Sequence, residues 1–278
     1  MVQYYDHIPD NLAEWINKQH MFWTASAPLN PTGHVNLSPK SMPGSFQILN
    51  QNKVFYEDIT GSGIETISHL RENGRITIMF NAFEGPPRIL RIFGTGHVHE
   101  YGSLEYDELI PPETRKPGSR AAIVVDVYQV TTSCGYAVPN YKFESHRDQL
   151  TRWCDSLELF DRKSVEEGST EINSKGLKAY WIKNNLQSLD GVPGLHSAHE
   201  NQRVPWSLYD RNAQPKEVED GQANEGANGR ANGHVVIATV GKNAHLFDAK
   251  FFLSFLFGVM ITTACVKLTG STSFAEFV

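Results

Sequence analysis

Three short stretches of this chain carry groups able to hold an anion. In His34-Val35-Asn36-Leu37-Ser38-Pro39-Lys40 an extended run ends in a hydroxyl, a proline and a lysine, so Ser38 and the Lys40 ammonium could share a phosphate just past the strand. In Thr60-Gly61-Ser62-Gly63-Ile64-Glu65-Thr66 glycines and hydroxyls run into a helix start, where free backbone N–H groups and the helix dipole favour negative charge. The same residues also fit a capping box, with Ser62 as N-cap and Glu65 three positions on, which needs no ligand. The pattern lacks the third glycine of a dinucleotide fingerprint and sits in no strand–helix–strand repeat, which argues against a Rossmann site. The third stretch, residues 71–96, supplies Arg71, Arg75 and Arg91. Between Leu90 and Ile92 in a strand, Arg91 needs an acceptor, either a ligand or an internal carboxylate such as Asp126. Gly94 and Gly96 in that strand predict a bulge at a bend, or a close backbone approach to a ligand.

Other reactive side chains give less. His97 and His99 share a strand face, but no third ligand lies at a matching spacing, so no metal is expected. Cys134 reads as a buried structural thiol rather than a redox centre. Cys134, Cys154 and Cys265 are too far apart for a metal-binding pair, and their odd number fits a reducing compartment. No catalytic acid or base stands out.

The elements that must position these groups read as many short strands with few helices. Residues 11–20 show helical spacing in Leu12, Trp15 and Ile16, ahead of an extended run at 21–25. Strands follow at 35–37, 45–49, 54–56, 76–80, 88–98 and 121–130, with turns at Pro43-Gly44, Asn50-Gln51-Asn52 and Gly85-Pro86-Pro87. One helix spans 63–73 and ends at Asn73-Gly74, and a second spans 143–160 through Leu150, Trp153, Cys154 and Leu157. This order predicts an α+β protein built on an antiparallel barrel with helices outside, not an alternating parallel sheet. The polar stretch from about 161 to 205 is expected to hold less order.

Taken together, VNLSPK, YEDITGSGIETISHL, RITIMF and PPRILRIFGTGHV, with the later VTTSCGYAVP, resemble pyridoxamine 5′-phosphate oxidase-like FMN-binding proteins, especially a fungal and bacterial subgroup with an S-P-K turn. The resemblance covers roughly residues 10–155. It implies a split barrel of about six strands, a homodimer, and FMN in a groove shared by two subunits, with the ring system supplying the chemistry. By resemblance Lys40 contacts the phosphate, while Ser38 and Thr60-Gly61-Ser62 form the hydroxyl-bearing side of that site. The oxidases follow the matching serine with an Arg-Lys pair, where this chain has Gly63 and Ile64. Arg71, Arg75 or Arg91 must then compensate, or FMN binds weakly, or another flavin such as F420 is used. Residues 181–195 lack the arginine- and proline-bearing motif of the vitamin-oxidising members, so pyridoxamine phosphate is not the expected substrate. The implied activity is an FMN-dependent oxidation or reduction of another small molecule; the alternative is a non-catalytic flavin-binding barrel serving as sensor or scaffold.

The formal net charge of -6 argues against a nucleic-acid partner, which would require a basic field. The first residues lack the basic start and apolar stretch of a secretory signal. The chain is expected to divide into a barrel domain at 1–205, a polar Gly/Asn-rich linker at 206–248, and a hydrophobic tail at 249–278. From Phe251 to Val266 no residue is charged. As a helix this run rises about 24 Å, short of the roughly 30 Å hydrocarbon core, though Lys250 and Lys267 can snorkel. A single-pass C-terminal anchor with the barrel facing the cytoplasm is therefore expected; the alternative is a soluble cytoplasmic protein.

Overall fold

The computed structural model describes residues 2–200, 203–205 and 207. Apart from Ser207, the linker and tail read from the sequence lie outside them. The strands are β1 (Gln3–Tyr5), β2 (Phe22–Ser26), β3 (Asn36–Lys40), β4 (Phe46–Asn50), β5 (Lys53–Ile59), β6 (Arg75–Asn81), β7 (Ile89–Glu100) and β8 (Ser119–Ser133). They pair antiparallel throughout, in the order β3-β2-β6-β7-β8-β5-β4, with β1 added beside β8. The expected antiparallel split barrel of an α+β protein is present, with eight strands where about six were expected. The strand that none of the extended runs read from the sequence covers, β1, is three residues long, too short to show periodicity.

Closure is visible in the core. Phe22 of β2 and Phe80 of β6, near one end of the strand order, meet Phe46 of β4 and Tyr56 of β5 from the other end. Their ring centroids lie 5.1 to 5.6 Å apart, in the tilted and edge-on geometries that aromatic pairs prefer. Ile78, Leu90, Ile92, Ile123 and Val125 fill the interior, each from the inward-facing set of its strand.

Among the described residues six helices, α1 (Asp10–Asn17), α2 (Glu65–Asn73), α3 (Leu104–Leu109), α4 (Gln149–Glu166), α5 (Leu177–Asn184) and α6 (Ser197–Glu200), accompany the barrel. The left-handed Gly74 (φ 70°) ends α2 as its sequence requires. At the other end Ile64, not Ser62, is the N-cap and no side chain caps the helix, so the capping box does not form. Leu70 of α2 packs where a Cβ on Gly96 would stand, while Gly94 lies at the β7–β8 bulge against Val125 and Asp126. Both glycines thus serve packing and curvature.

Two expectations about the second half need correction. α4 begins six residues later than its hydrophobic pattern suggested and runs to Glu166. The stretch expected to lose order instead folds: Leu177, Trp181, Leu195 and Ala198 are buried core residues. Its polar composition concealed this because four large or well-placed side chains, anchored by hydrogen bonds to the barrel, suffice to hold it.

Candidate functional site

β3 has an unusual polarity for an edge strand. Lys40, Ser38 and Asn36 are paired across from Phe22, Thr24 and Ser26 of β2. They share the inner face with these buried partners, while Val35 and Leu37 point outward and are exposed. The inward row is fully engaged. Ser38 donates to Asn36 Oδ1 (2.7 Å), and Asn36 Nδ2 donates to Ser26 Oγ (3.2 Å) and Thr66 Oγ1 (2.9 Å). Ser26 is in turn bonded to Nδ1 of the buried His69 (3.0 Å).

Lys40 reaches across the barrel opening to β5. Its Nζ donates to Asp58 Oδ1 at 2.8 Å, and Arg120 Nε donates to the other carboxylate oxygen, also at 2.8 Å. Asp58 is 0% exposed and Lys40 22%. Burial pushes the Asp58 carboxyl up, but Lys40 and Arg120 together outweigh it and hold the group at about 2. A folded value below the ordinary 3.8 means this carboxylate stabilises the fold above that pH, and the contribution is lost as pH falls through about 2. The shift corresponds to about 2 kcal/mol. Asp58→Asn should therefore flatten the acid limb of a stability–pH curve between about pH 4 and 2, which urea titrations at stepped pH would measure.

The Thr60-Gly61-Ser62 loop follows directly on β5 and is covered from one side. Thr60 is fully buried; its hydroxyl donates to Gly118 O (2.6 Å) and accepts from Trp181 Nε1 (2.7 Å). Asn185 Nδ2 donates to Gly61 O at 3.1 Å, and Arg120 Nη1 donates to Gly63 O at 3.0 Å. Ser62 alone of the three is exposed. Arg120 and Asp58 thus join Lys40 to this loop, which brings together four of the nominated residues and places Ser38 beside them.

Arg71 and Arg91 stand elsewhere. Arg71 pairs with the buried Glu100 and lines a surface depression of about 510 Å³ with His99, Glu105 and His196. Arg75 bonds Asn73 and Pro28 O. Asp126, the internal acceptor considered for Arg91, instead takes Lys53 (3.1 Å) and His97 (3.0 Å). Arg91 sits half-buried on the outer face of β7, opposite Met79 of β6 and Thr131 of β8. Cys134 is exposed, contrary to expectation, and among the described residues the buried thiol is Cys154, pushed by burial up to about 12.

These contacts bear on FMN. Its phosphate carries a charge near -2, whereas the cations Lys40 and Arg120 already face Asp58, and the hydroxyls of Ser38 and Thr60 are already bonded. The residues here do not fit the phosphate in the way the S-P-K resemblance implies. Sequence reasoning passed over Asp58 and Arg120. The available signal was Arg120, a charge opening the apolar run Ala121–Val125, where a buried partner is required.

No family model matches the chain. A protein of Aspergillus flavus named pyridoxamine 5′-phosphate oxidase family protein ustO is 40% identical over 198 residues, covering 70% of this chain and 78% of the relative. Among solved structures, HupZ of Group A Streptococcus is 21% identical and spans 44% of this chain and 91% of its own length, with a TM-score of 0.34. A Clostridium acetobutylicum protein related to general stress protein 26 of B. subtilis, of the pyridoxinephosphate oxidase family, is 13% identical over 49% of this chain and 92% of its own, with a TM-score of 0.32. With two fifths of residues identical across more than two thirds of both chains, the fungal relative and the S-P-K barrel described above lead to one conclusion: this chain belongs to the pyridoxamine 5′-phosphate oxidase family.

Proposed function

We propose that the chain is a flavin-dependent oxidoreductase of a small molecule other than pyridoxamine phosphate, with FMN as the family's expected cofactor, acting as a homodimer. Family membership supports the flavin. The observation that carries the reading is the outer face of β3, β2, β6 and β7. There Met79 and Thr131 stand directly beside Arg91, Phe93 follows it along β7, and Trp23, Thr77, Ala25 and the exposed Leu37 continue the face toward the β3 edge; Arg91 itself makes no hydrogen bond or ion pair among the described residues. A mainly apolar sheet face holding a cation without an acceptor suits a flat ring with polar edges and a second copy that covers it. Arg91's role would be to donate to the ring's polar edge, and Trp23 and Met79 would exclude water beside it.

Arg91→Ala should weaken flavin binding roughly ten- to a hundredfold, the value of one charge-assisted hydrogen bond of about 1.5 to 3 kcal/mol. Having no internal partner to abandon, the variant should keep its melting temperature. Fluorescence titration and thermal unfolding check the two halves. A wild-type protein that is colourless, takes up neither FMN nor riboflavin, and runs as a monomer in light scattering removes the proposal. The second reading, a flavin-binding barrel without turnover, is favoured by the internal pairing of Lys40 with Asp58 and of Arg71 with Glu100. Consumption of NADPH or another reductant by the reconstituted protein separates them.

The tail completes the proposal. Among the described residues no helix is long and apolar enough to cross a membrane. Residues 251–266 are proposed as a single membrane anchor that leaves the barrel on the cytoplasmic side, on the strength of their uncharged run between two lysines.

A further inference from the structure

Two of the chain's own carboxylates, on β5 and at the start of α2, flank the loop that the S-P-K resemblance assigns to phosphate. Asp58 takes one cation on each oxygen, Lys40 on Oδ1 and Arg120 on Oδ2, from a position with no solvent exposure. The Glu65 carboxylate folds back over the turn before α2, so close that a Cβ on Gly63 would clash with it, and it accepts from Leu189 N–H at 3.3 Å. The helix start where an anion would gain most from free N–H groups is thus already faced by an anion.

The remaining access is narrowed from the far side. Trp181 and Asn185 bind Thr60 and Gly61, and Gly194 packs so closely on Ile64 that its Cβ would collide with that side chain. Lys40 and Arg120 are balanced by Asp58 and Glu65, so an incoming phosphate meets a neutral cluster instead of a cationic one. Drawing Lys40 toward a ligand would leave the buried Asp58 with Arg120 alone, and breaking a buried pair is costly.

We propose that this anion position is filled by the chain's own carboxylates, Asp58 and Glu65, so that the protein binds flavin through its ring system and does not distinguish FMN from unphosphorylated riboflavin. The proposal rests on the flavin reading given above. It turns the loss of the Arg-Lys pair, replaced here by Gly63 and Ile64, into a defined change of ligand: the phosphate is no longer the handle.

Fluorescence titrations of the full chain with FMN and with riboflavin test it directly. Dissociation constants within about threefold of one another, about 0.6 kcal/mol, are expected for the wild type and again for Lys40→Met. A tenfold or greater preference for FMN overturns the proposal. Should Lys40→Met fail to fold, the wild-type ratio still decides, and Lys40→Gln supplies the second variant. Calorimetric titration with inorganic phosphate gives a readout free of flavin. Saturable phosphate binding that Lys40→Met abolishes would overturn the proposal, whereas absence of such binding supports it. If neither flavin binds, the flavin reading falls, while the phosphate titration still reports on Asp58 and Glu65.

Discussion

Replacing Glu158 by alanine should lower the unfolding free energy by about 3 to 5 kcal/mol, the cost of leaving a buried charge without its partner. The charge is Arg115, which with Glu158 is almost completely enclosed, at 2% and 5% side-chain exposure. Arg115 Nη1 donates to Glu158 Oε1 at 2.8 Å, and Gly118 N–H donates to the same oxygen at 2.7 Å. Arg115 Nη2 donates to Ser119 O, and the guanidinium lies 4.7 Å from the centroid of Tyr101. The pair fastens α4 to the turn before β8. Gly118 in that turn has a φ of 81°, and any Cβ there would strike Cys154 of α4. Burial pushes the Glu158 carboxyl upward against the pull of Arg115 and Gly118, the direction expected of a carboxylate held away from water. The double change Arg115→Met with Glu158→Leu should therefore recover most of the loss. Urea unfolding with a lowered midpoint and unchanged slope is the expected signature; a single-variant loss under about 1 kcal/mol would show that the pair is not isolated from water.

Met260→Arg should transfer the full-length protein from the membrane pellet to the soluble fraction. An arginine near the centre of a spanning segment costs about 2.5 to 3.5 kcal/mol on insertion scales, and the run from Phe251 to Val266 is marginal in length to begin with. Removal of residues 249–278 should have the same effect while leaving flavin uptake and barrel stability unchanged. Fractionation with an antibody to the barrel, alongside thermal unfolding of both variants, tests this. The anchor is refuted by a Met260→Arg protein that stays in the pellet, or by a wild type that is soluble throughout.

The barrel was legible in the sequence because its strands are bounded by turns and carry period-two patterns, and α2 because Ile64, Ile67 and Leu70 precede Asn73-Gly74. The site was legible only in part. Ser38, Lys40 and Thr60-Gly61-Ser62 do converge, but through Asp58 and Arg120, whose pairing joins β5 to β8 across 62 positions and leaves no local signature. β3 misleads for a related reason. Its apolar residues face outward, so amphipathic alternation alone assigns the wrong side to the core. The α5 region was missed because the partners of Trp181 are distant in sequence, the Thr60 hydroxyl 121 positions away and the Tyr101 ring, and because its short apolar run Ala179–Ile182 sits within a long polar stretch.

β8 is the strand on which the others wait. It borders β7 along its whole length on one side, and β5 and then β1 on the other. During synthesis β5, β7 and β1 emerge with a free edge and remain so until residues 119–133 leave the ribosome. At about 5 to 20 residues per second, the interval between the end of β5 at Ile59 and the end of β8 is on the order of 4 to 15 seconds. Through that interval the Val54-Phe55-Tyr56 edge, and from its own later emergence the Leu90-Arg91-Ile92-Phe93 edge, are open templates for stray pairing. Arg91 and the neighbouring Arg88, charged residues within and before the β7 edge, would act as gatekeepers for the nascent chain, a role that precedes any ligand and ends once β8 arrives.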